Sequence, residues 1–259
     1  MRWLDALVKK APPSGDATVA ERMAEAYDAS SGGDYARALE IWGPLAHAGV
    51  ARAQNNVGAC FWEGLGVERD VALAAKWLTL AAESGDAIGR RNLAALYFRG
   101  EGVEQDYSRA MALYRAAAEQ GDASAQDMLS WMLLEGEVAE PDYIEARRWA
   151  EAAAAQGVAP SMTRLGMIFH NALGVERDAG QAVFWWRLAA ERGDADAQAM
   201  LGAAFHLGAA VTRDPAEAFV WLLRARAGGS ALASQFFLAV RAVLSPEQIA
   251  ICERRADEP

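Results

Sequence analysis

The side chains that could carry metal or nucleophilic chemistry are few: three histidines and two cysteines in 259 residues. His170 and His206 stand 36 residues apart. In a helical array of that period they take one position on neighbouring helices, about 10 Å apart at the backbone. Two imidazoles could begin a metal site, but such a site needs further ligands, and none occupies that position in the flanking units. Cys60 shares a register row with Leu96, Met132 and Ile168, which assigns it to the core and not to a reactive thiolate. Cys252 has no base placed to activate it. The pairs Gly64-Leu-Gly66 and Gly100-Glu-Gly102 suggest a phosphate loop. They lack its third glycine, follow helices instead of strands, and recur along the chain, so they read as interhelical turns. There is no His-Glu-x-x-His and no Gly-x-Ser-x-Gly. No catalytic residue, metal or cofactor is expected. His47, beside Gly49 at a helix end, fits a favourable interaction with the terminal carbonyls.

The elements that hold these residues follow from one period. Glycines recur at Gly49, Gly85, Gly121, Gly157, Gly193 and Gly229, and aspartates at Asp34, Asp70, Asp106, Asp142, Asp178 and Asp214, with 36 residues between successive members of each set. A fixed period of this length marks a repeat architecture. Within a unit, Ala74, Trp77, Leu78, Ala81 and Ala82 fall at helical spacing. The pattern returns as Ala38, Ile41, Trp42, Leu45, Ala46 and as Ala182, Trp185, Trp186, Ala189, Ala190. A shorter helix precedes it, carrying Val57, Gly58, Cys60 and Phe61 and their counterparts. The aspartates stand where an N-cap is needed. Glu145, Gln181 and Glu217, three residues after Asp142, Asp178 and Asp214, predict capping boxes. The glycines offer the left-handed conformation that ends a helix.

The unit Ala53-Gln54, Val57-Gly58, Phe61, Gly64-x-Gly66-Val67, Asp70, Ala74, Trp77-Leu78, Ala81-Ala82, Gly85 resembles the Sel-one-like repeat, a branch of the tetratricopeptide superfamily. The resemblance covers residues 34–245. It implies an all-α, right-handed superhelical solenoid of antiparallel helix pairs with a concave inner face, serving as an adaptor for protein complexes. Val138 and Ala210 stand where the second turn glycine belongs, and Ala172 where the first does. A single domain over residues 1–259 is expected. Residues 17–29 form a helix that pairs with 35–48, and a last helix opened by the capping box Ser245-Pro-Glu-Gln248 forms the other terminal cover. Arg241 takes the place of a family aromatic. The N-terminal stretch Met1–Lys10, with Trp3, Leu4, Leu7 and Val8, reads as a short amphipathic helix ended by Pro12 and Pro13.

In the tetratricopeptide fold the first helix of each pair lines the concave face, and the resemblance carries this to three rows. They are Asn55, Arg91, Asp127, Thr163, Ala199; Ala59, Ala95, Trp131, Met167, Ala203; and Trp62, Phe98, Leu134, His170, His206. These rows vary between units while the core rows do not. Trp62, Phe98, Trp131, Leu134 and Met167 would make an apolar strip rimmed by Asn55, Arg91, Asp127 and Glu63, to which His170 and His206 add partner contacts. Such strips serve interaction, and a partner peptide or helix is the expected ligand. The other reading packs the same rings between units.

Bulk properties bound the remaining classes. No stretch approaches the roughly 18 apolar residues that a membrane-spanning helix needs. A net charge of -10 repels phosphate backbones, so nucleic acid is not an expected partner. Two distant cysteines build no disulfide framework, which fits the cytoplasm. A monomeric protein-binding scaffold, not an enzyme, is the leading expectation. Two others stand beside it. Disulfide-rich relatives of the repeat bind or hydrolyse β-lactams, although this chain lacks their cysteine pair in each unit. The segment Met1–Lys10 could serve a peripheral membrane scaffold.

Overall fold

A computed structural model describes residues 18–136 and 140–258. The predicted helix at Met1–Lys10 and the turn residue Val138 lie outside them. Fourteen helices and no strand occur among the described residues. They form two compact units divided between Leu129 and Ser130. In the first are α1 (Val19–Ser31), α2 (Tyr35–His47), α3 (Ala51–Glu63), α4 (Val71–Glu83), α5 (Ala87–Arg99), α6 (Tyr107–Ala118) and the start of α7 (Ala123–Glu135). The second holds the rest of α7 with α8 (Tyr143–Ala155), α9 (Ala159–Asn171), α10 (Ala179–Ala190), α11 (Ala195–Leu207), α12 (Pro215–Ala227), α13 (Ala233–Arg241) and α14 (Pro246–Asp257). The pairs α3/α4, α5/α6, α9/α10 and α11/α12 pack most extensively, each a first helix on its own second helix. As expected, α1 pairs with α2 to make the atypical first unit.

The helix starts follow from the aspartates. Asp34, Asp70, Asp106, Asp142, Asp178 and Asp214 each accept the backbone N–H three residues on, at 2.9–3.0 Å. The predicted capping boxes at Asp142, Asp178 and Asp214 are not closed, and the reason is long-range. The backbone N–H that Glu145, Gln181 or Glu217 would have accepted is already committed to the end of the preceding first helix. Asp142 donates to the Leu133 carbonyl, Asp178 to Phe169 and Asp214 to Phe205, at 3.0, 3.1 and 3.0 Å. Asp70 and Asp106 do the same to Phe61 and Tyr97. Glu217 turns instead to Arg255 at 2.6 Å. Reciprocal boxes do form at Thr18/Glu21 and at Ser245/Gln248, the second as expected. Hydrogen bonds from Thr18 hold the Glu21 carboxyl below its usual range.

The helix ends follow from backbone handedness. Gly49, Gly85, Gly121, Gly157, Gly193 and Gly229 have φ between +84° and +88°, where a Cβ is penalised. Ala172 and Ala210 keep the left-handed turn without glycine, each at φ +57°, at a cost of about 1–2 kcal/mol for an L-residue.

Packing explains the small residues of the first helices. A Cβ on Gly58 would lie 2.8 Å from Leu78 Cγ, on Gly166 2.2 Å from Trp186 Nε1, and on Gly202 2.9 Å from Leu222 Cγ. Second-helix side chains thus rest directly on first-helix backbone. Trp42, Trp77, Trp149, Trp186 and Trp221 are buried, and Trp62, Trp131 and Trp185 half-buried. Three glutamines tie consecutive pairs: Gln54, Gln126 and Gln198 donate to the carbonyls of Ala46, Ala118 and Ala190 at 3.1, 3.1 and 3.2 Å. None of the described helices is long and apolar enough to cross a membrane.

Candidate functional site: the uncovered face of the first helices

First helices are covered by second helices on one side and leave a strip of side chains on the other. In the first unit its floor is Ala59 and Ala95, both half-buried. An amide ladder runs along one side. Asn92 donates to Asn55 Oδ1 at 2.9 Å, and Asn55 donates to Asn56 Oδ1 at 3.1 Å. Arg91 pairs with Asp122 at 3.0 Å. Asn55 itself is only 4% exposed, so of the predicted rim it lies beneath the surface and orients Asn92 and Asn56. Arg91 and Asp127 are half-buried, and Glu63 is exposed.

Along the other side Trp62 Nε1 donates to Glu101 Oε2 at 2.7 Å. Glu101 also meets Arg69 at 3.5 Å, and the Arg99 guanidinium lies 5.6 Å from the Trp62 ring centroid. Glu101 belongs to the turn after α5, so Trp62 of α3 is fixed by the neighbouring repeat. Phe98 packs on Tyr107, ring centroids 5.2 Å apart. Trp62 and Phe98 are thus anchored by local contacts and remain half-buried.

In the second unit the equivalent strip of first-helix side chains is more apolar. Trp131 and Leu134 are half-buried, and Met167 is 41% exposed. Met200 and Leu207 lie beside them in register, Leu207 exposed. His170 packs against Trp186 at 5.4 Å and His206 against Phe236 at 6.2 Å, so each imidazole meets an aromatic ring. No group of three or more His, Cys, Asp or Glu suited to a metal occurs among the described residues. Of the three predicted rows, Thr163, Ala199 and Ala203 are buried. The expectation missed Asn56, Asn92, Arg99, Glu101 and Met200. Asn56 and Asn92 share a row next to a predicted one, which is the signal that could have found them.

The remaining candidates are structural. Cys60 and Cys252 are free and buried. Burial pushes the Cys60 thiol up to about 11 and raises that of Cys252, opposite to what a nucleophile needs. His47 is in the last turn of α2, as read, and its ring stacks edge-on to Trp77 at 5.0 Å. Asp86 N-caps α5 from a buried position and receives Arg52 Nε at 2.6 Å.

Tandem helix pairs of one length, with a constant core, define a helical-repeat protein. The model of the Sel1 repeat family matches residues 51–86, 87–122, 123–158, 159–194 and 195–230, and the chain belongs to that family. A Sel1 repeat protein from Oxalobacter formigenes is 26% identical, with TM-score 0.81, over 92% of this chain and 97% of that one. Similarity extends to c5321, a protective antigen of uropathogenic Escherichia coli with an SLR fold, at 24% identity and TM-score 0.46 over 91% of this chain and 67% of that one. It extends also to the immunity protein Pa5087 from Pseudomonas aeruginosa, at 21% identity and TM-score 0.47 over 80% and 83%. No curated protein matches the sequence. The fold is one typically used as a scaffold for protein–protein interaction.

Proposed function

We propose that the chain is a protein-binding scaffold whose uncovered first-helix strips hold a peptide segment or helix of a partner. The observation that carries this is Trp62: its Nε1 is tied to Glu101 and its ring faced by Arg99, yet the residue stays only half-buried. A ring held in place before binding loses little freedom on contact, which favours affinity. Beside it the half-buried amides of Asn56 and Asn92, held by Asn55, make a fixed polar edge to the strip. In the second unit Trp131, Leu134, Met167, His170 and His206 supply an adaptable apolar surface. The two free, buried cysteines are compatible with a reducing compartment, and we place its action in the cytoplasm, on protein partners and not on nucleic acid.

A displayed random-peptide library selected on the full chain provides ligands for the test. Trp62→Ala and Phe98→Ala should each weaken the selected peptides at least about tenfold, since truncating a hot-spot anchor costs about 2 kcal/mol or more. Peptides that bind both variants as tightly as the parent would eliminate the strip as the binding surface.

A further inference from the structure

The helix α13 stands at the register of a first helix. Ala233, Phe237 and Val240 take the places of Ala197, Leu201 and Ala204, 36 residues earlier, and Ala233 and Val240 are fully buried. In the preceding units a second helix covers one side of such a helix, its side chains seated on a glycine: Leu78 on Gly58, Trp186 on Gly166, Leu222 on Gly202. Leu238 occupies that glycine's register in α13. Its branched side chain bars the same close approach, and the chain that follows goes elsewhere.

It goes onto α12. The Arg224 guanidinium donates to the carbonyls of Arg255, Ala256 and Glu258 at 2.9, 3.3 and 2.9 Å. Arg255 pairs with Glu217 at 2.6 Å, and the Cys252 thiol reaches the Ala216 carbonyl at 3.5 Å. The predicted terminal cover thus closes α12 and leaves a side of α13 open. Leu238 is 73% exposed, and Leu232, Ala239, Ala242 and Val243 are exposed with it.

We propose that this open side of α13 is a contact between two copies of the chain, each covering the other. Charge selects that occupant. From Gly228 to Ser245 the sequence holds a single charged residue, Arg241, in a protein that is 23% charged and carries a net -10. Two such molecules repel at long range, so they associate stably only where no carboxylate is brought against its own copy. The α13 face meets that condition. It also lacks the charges that steer and pair a charged foreign partner. A twofold contact is self-complementary when large residues meet small ones across the axis. With α13 antiparallel to its copy, Leu238 of each can seat on Ala239 and Ala242 of the other, and Arg241 falls within a turn of the other copy's Gln235. The contact replaces the monomer expected from sequence, and it would present the binding strips twice to a bivalent partner.

Sedimentation velocity of the full chain between about 1 and 200 μM, the range of weak specific association, tests this. A concentration-dependent dimer is expected. Leu238→Glu, at a solvated position, should leave the circular dichroism spectrum unchanged and weaken the dimer at least about 100-fold, because like charges meet at the axis. Ile144→Glu, on α8 and 68% exposed, should leave the dimer intact. A wild-type monomer at the highest concentration overturns the proposal, including one whose α13 face captures some other protein. So does a dimer indifferent to Leu238→Glu, or one equally lost in Ile144→Glu.

Discussion

Replacing Gly102 with alanine probes how closely neighbouring repeats approach one another, and the structure sets the size of the effect. Gly102 has φ +69°, where an alanine costs about 1–2 kcal/mol. The added methyl would sit 2.3 Å from the Val71 carbonyl oxygen and 2.6 Å from its carbon. Both atoms are backbone at the start of α4, so relief requires a helix to move and not a side chain to turn. Overpacking of this kind costs a further 1–3 kcal/mol or so. Alanine returns about 0.5 kcal/mol by restricting the unfolded chain, which leaves a net loss of about 2–4 kcal/mol. Gly121→Ala is the internal control: its φ is +88°, but nothing lies within 4 Å of the new methyl, so only the backbone cost of about 1 kcal/mol applies. Ala210 already carries the methyl at the register of Gly102, and there the facing residues are Ala179 and Gly180 instead of Val71 and Ala72. Ala210→Gly should therefore raise stability by about 0.5–1 kcal/mol. Urea unfolding followed by far-ultraviolet circular dichroism reads all three. If Gly102→Ala and Gly121→Ala lose stability equally, the tight approach between repeats is wrong.

Two further outcomes follow from groups already placed. Asp86→Ala should cost about 2–3 kcal/mol in the same unfolding assay, since it removes a cap together with the buried partner of Arg52, whereas Asp70→Ala, an exposed cap, should cost about 1 kcal/mol. Equal losses would show that the Arg52 pair contributes nothing. For Cys60, burial keeps the thiol neutral up to about 11, above its ordinary 9.0. Between those values the unfolded chain ionises and the folded one does not, so Cys60 contributes nothing to pH dependence below about 9 and withdraws stability as pH rises beyond it. Stability measured at about pH 8 and pH 10.5 should fall less in Cys60→Ala than in the parent; an identical fall in both would refute the assignment.

Legibility in the sequence tracked the range of the interaction. The period, the aspartate caps and the tryptophan core are local patterns repeated many times, and Asp70, Gly85 and Trp77 stand where spacing placed them. The turn around Ala210 was readable as a departure, and the backbone absorbed it by taking φ +57° without glycine. What spacing did not disclose depended on partners far along the chain. Asn55 reads as a rim residue from its row, but it lies under the surface, where it accepts from Asn92, 37 positions on. The unclosed boxes at Asp142, Asp178 and Asp214 had the same origin, because the carbonyl of a preceding helix took the amide first. At the C-terminal end Arg241 was legible as atypical, whereas the consequence of Leu238 emerged only where α14 was seen to lie on α12.

The amide that each second helix sends back to the end of the first has an implication for how the first unit yields to force. Asp70 to Phe61 and Asp106 to Tyr97 clasp one kind of connection, and Asp86 to Ala81 and Asp122 to Ala117 clasp the other. With both connections latched, no loop is left as a slack joint. Deformation has to be shared as slight slippage over many alanine-lined helix seams, in the manner of a leaf spring, and a substitution at one seam would alter compliance along its neighbours before it altered shape at any single turn.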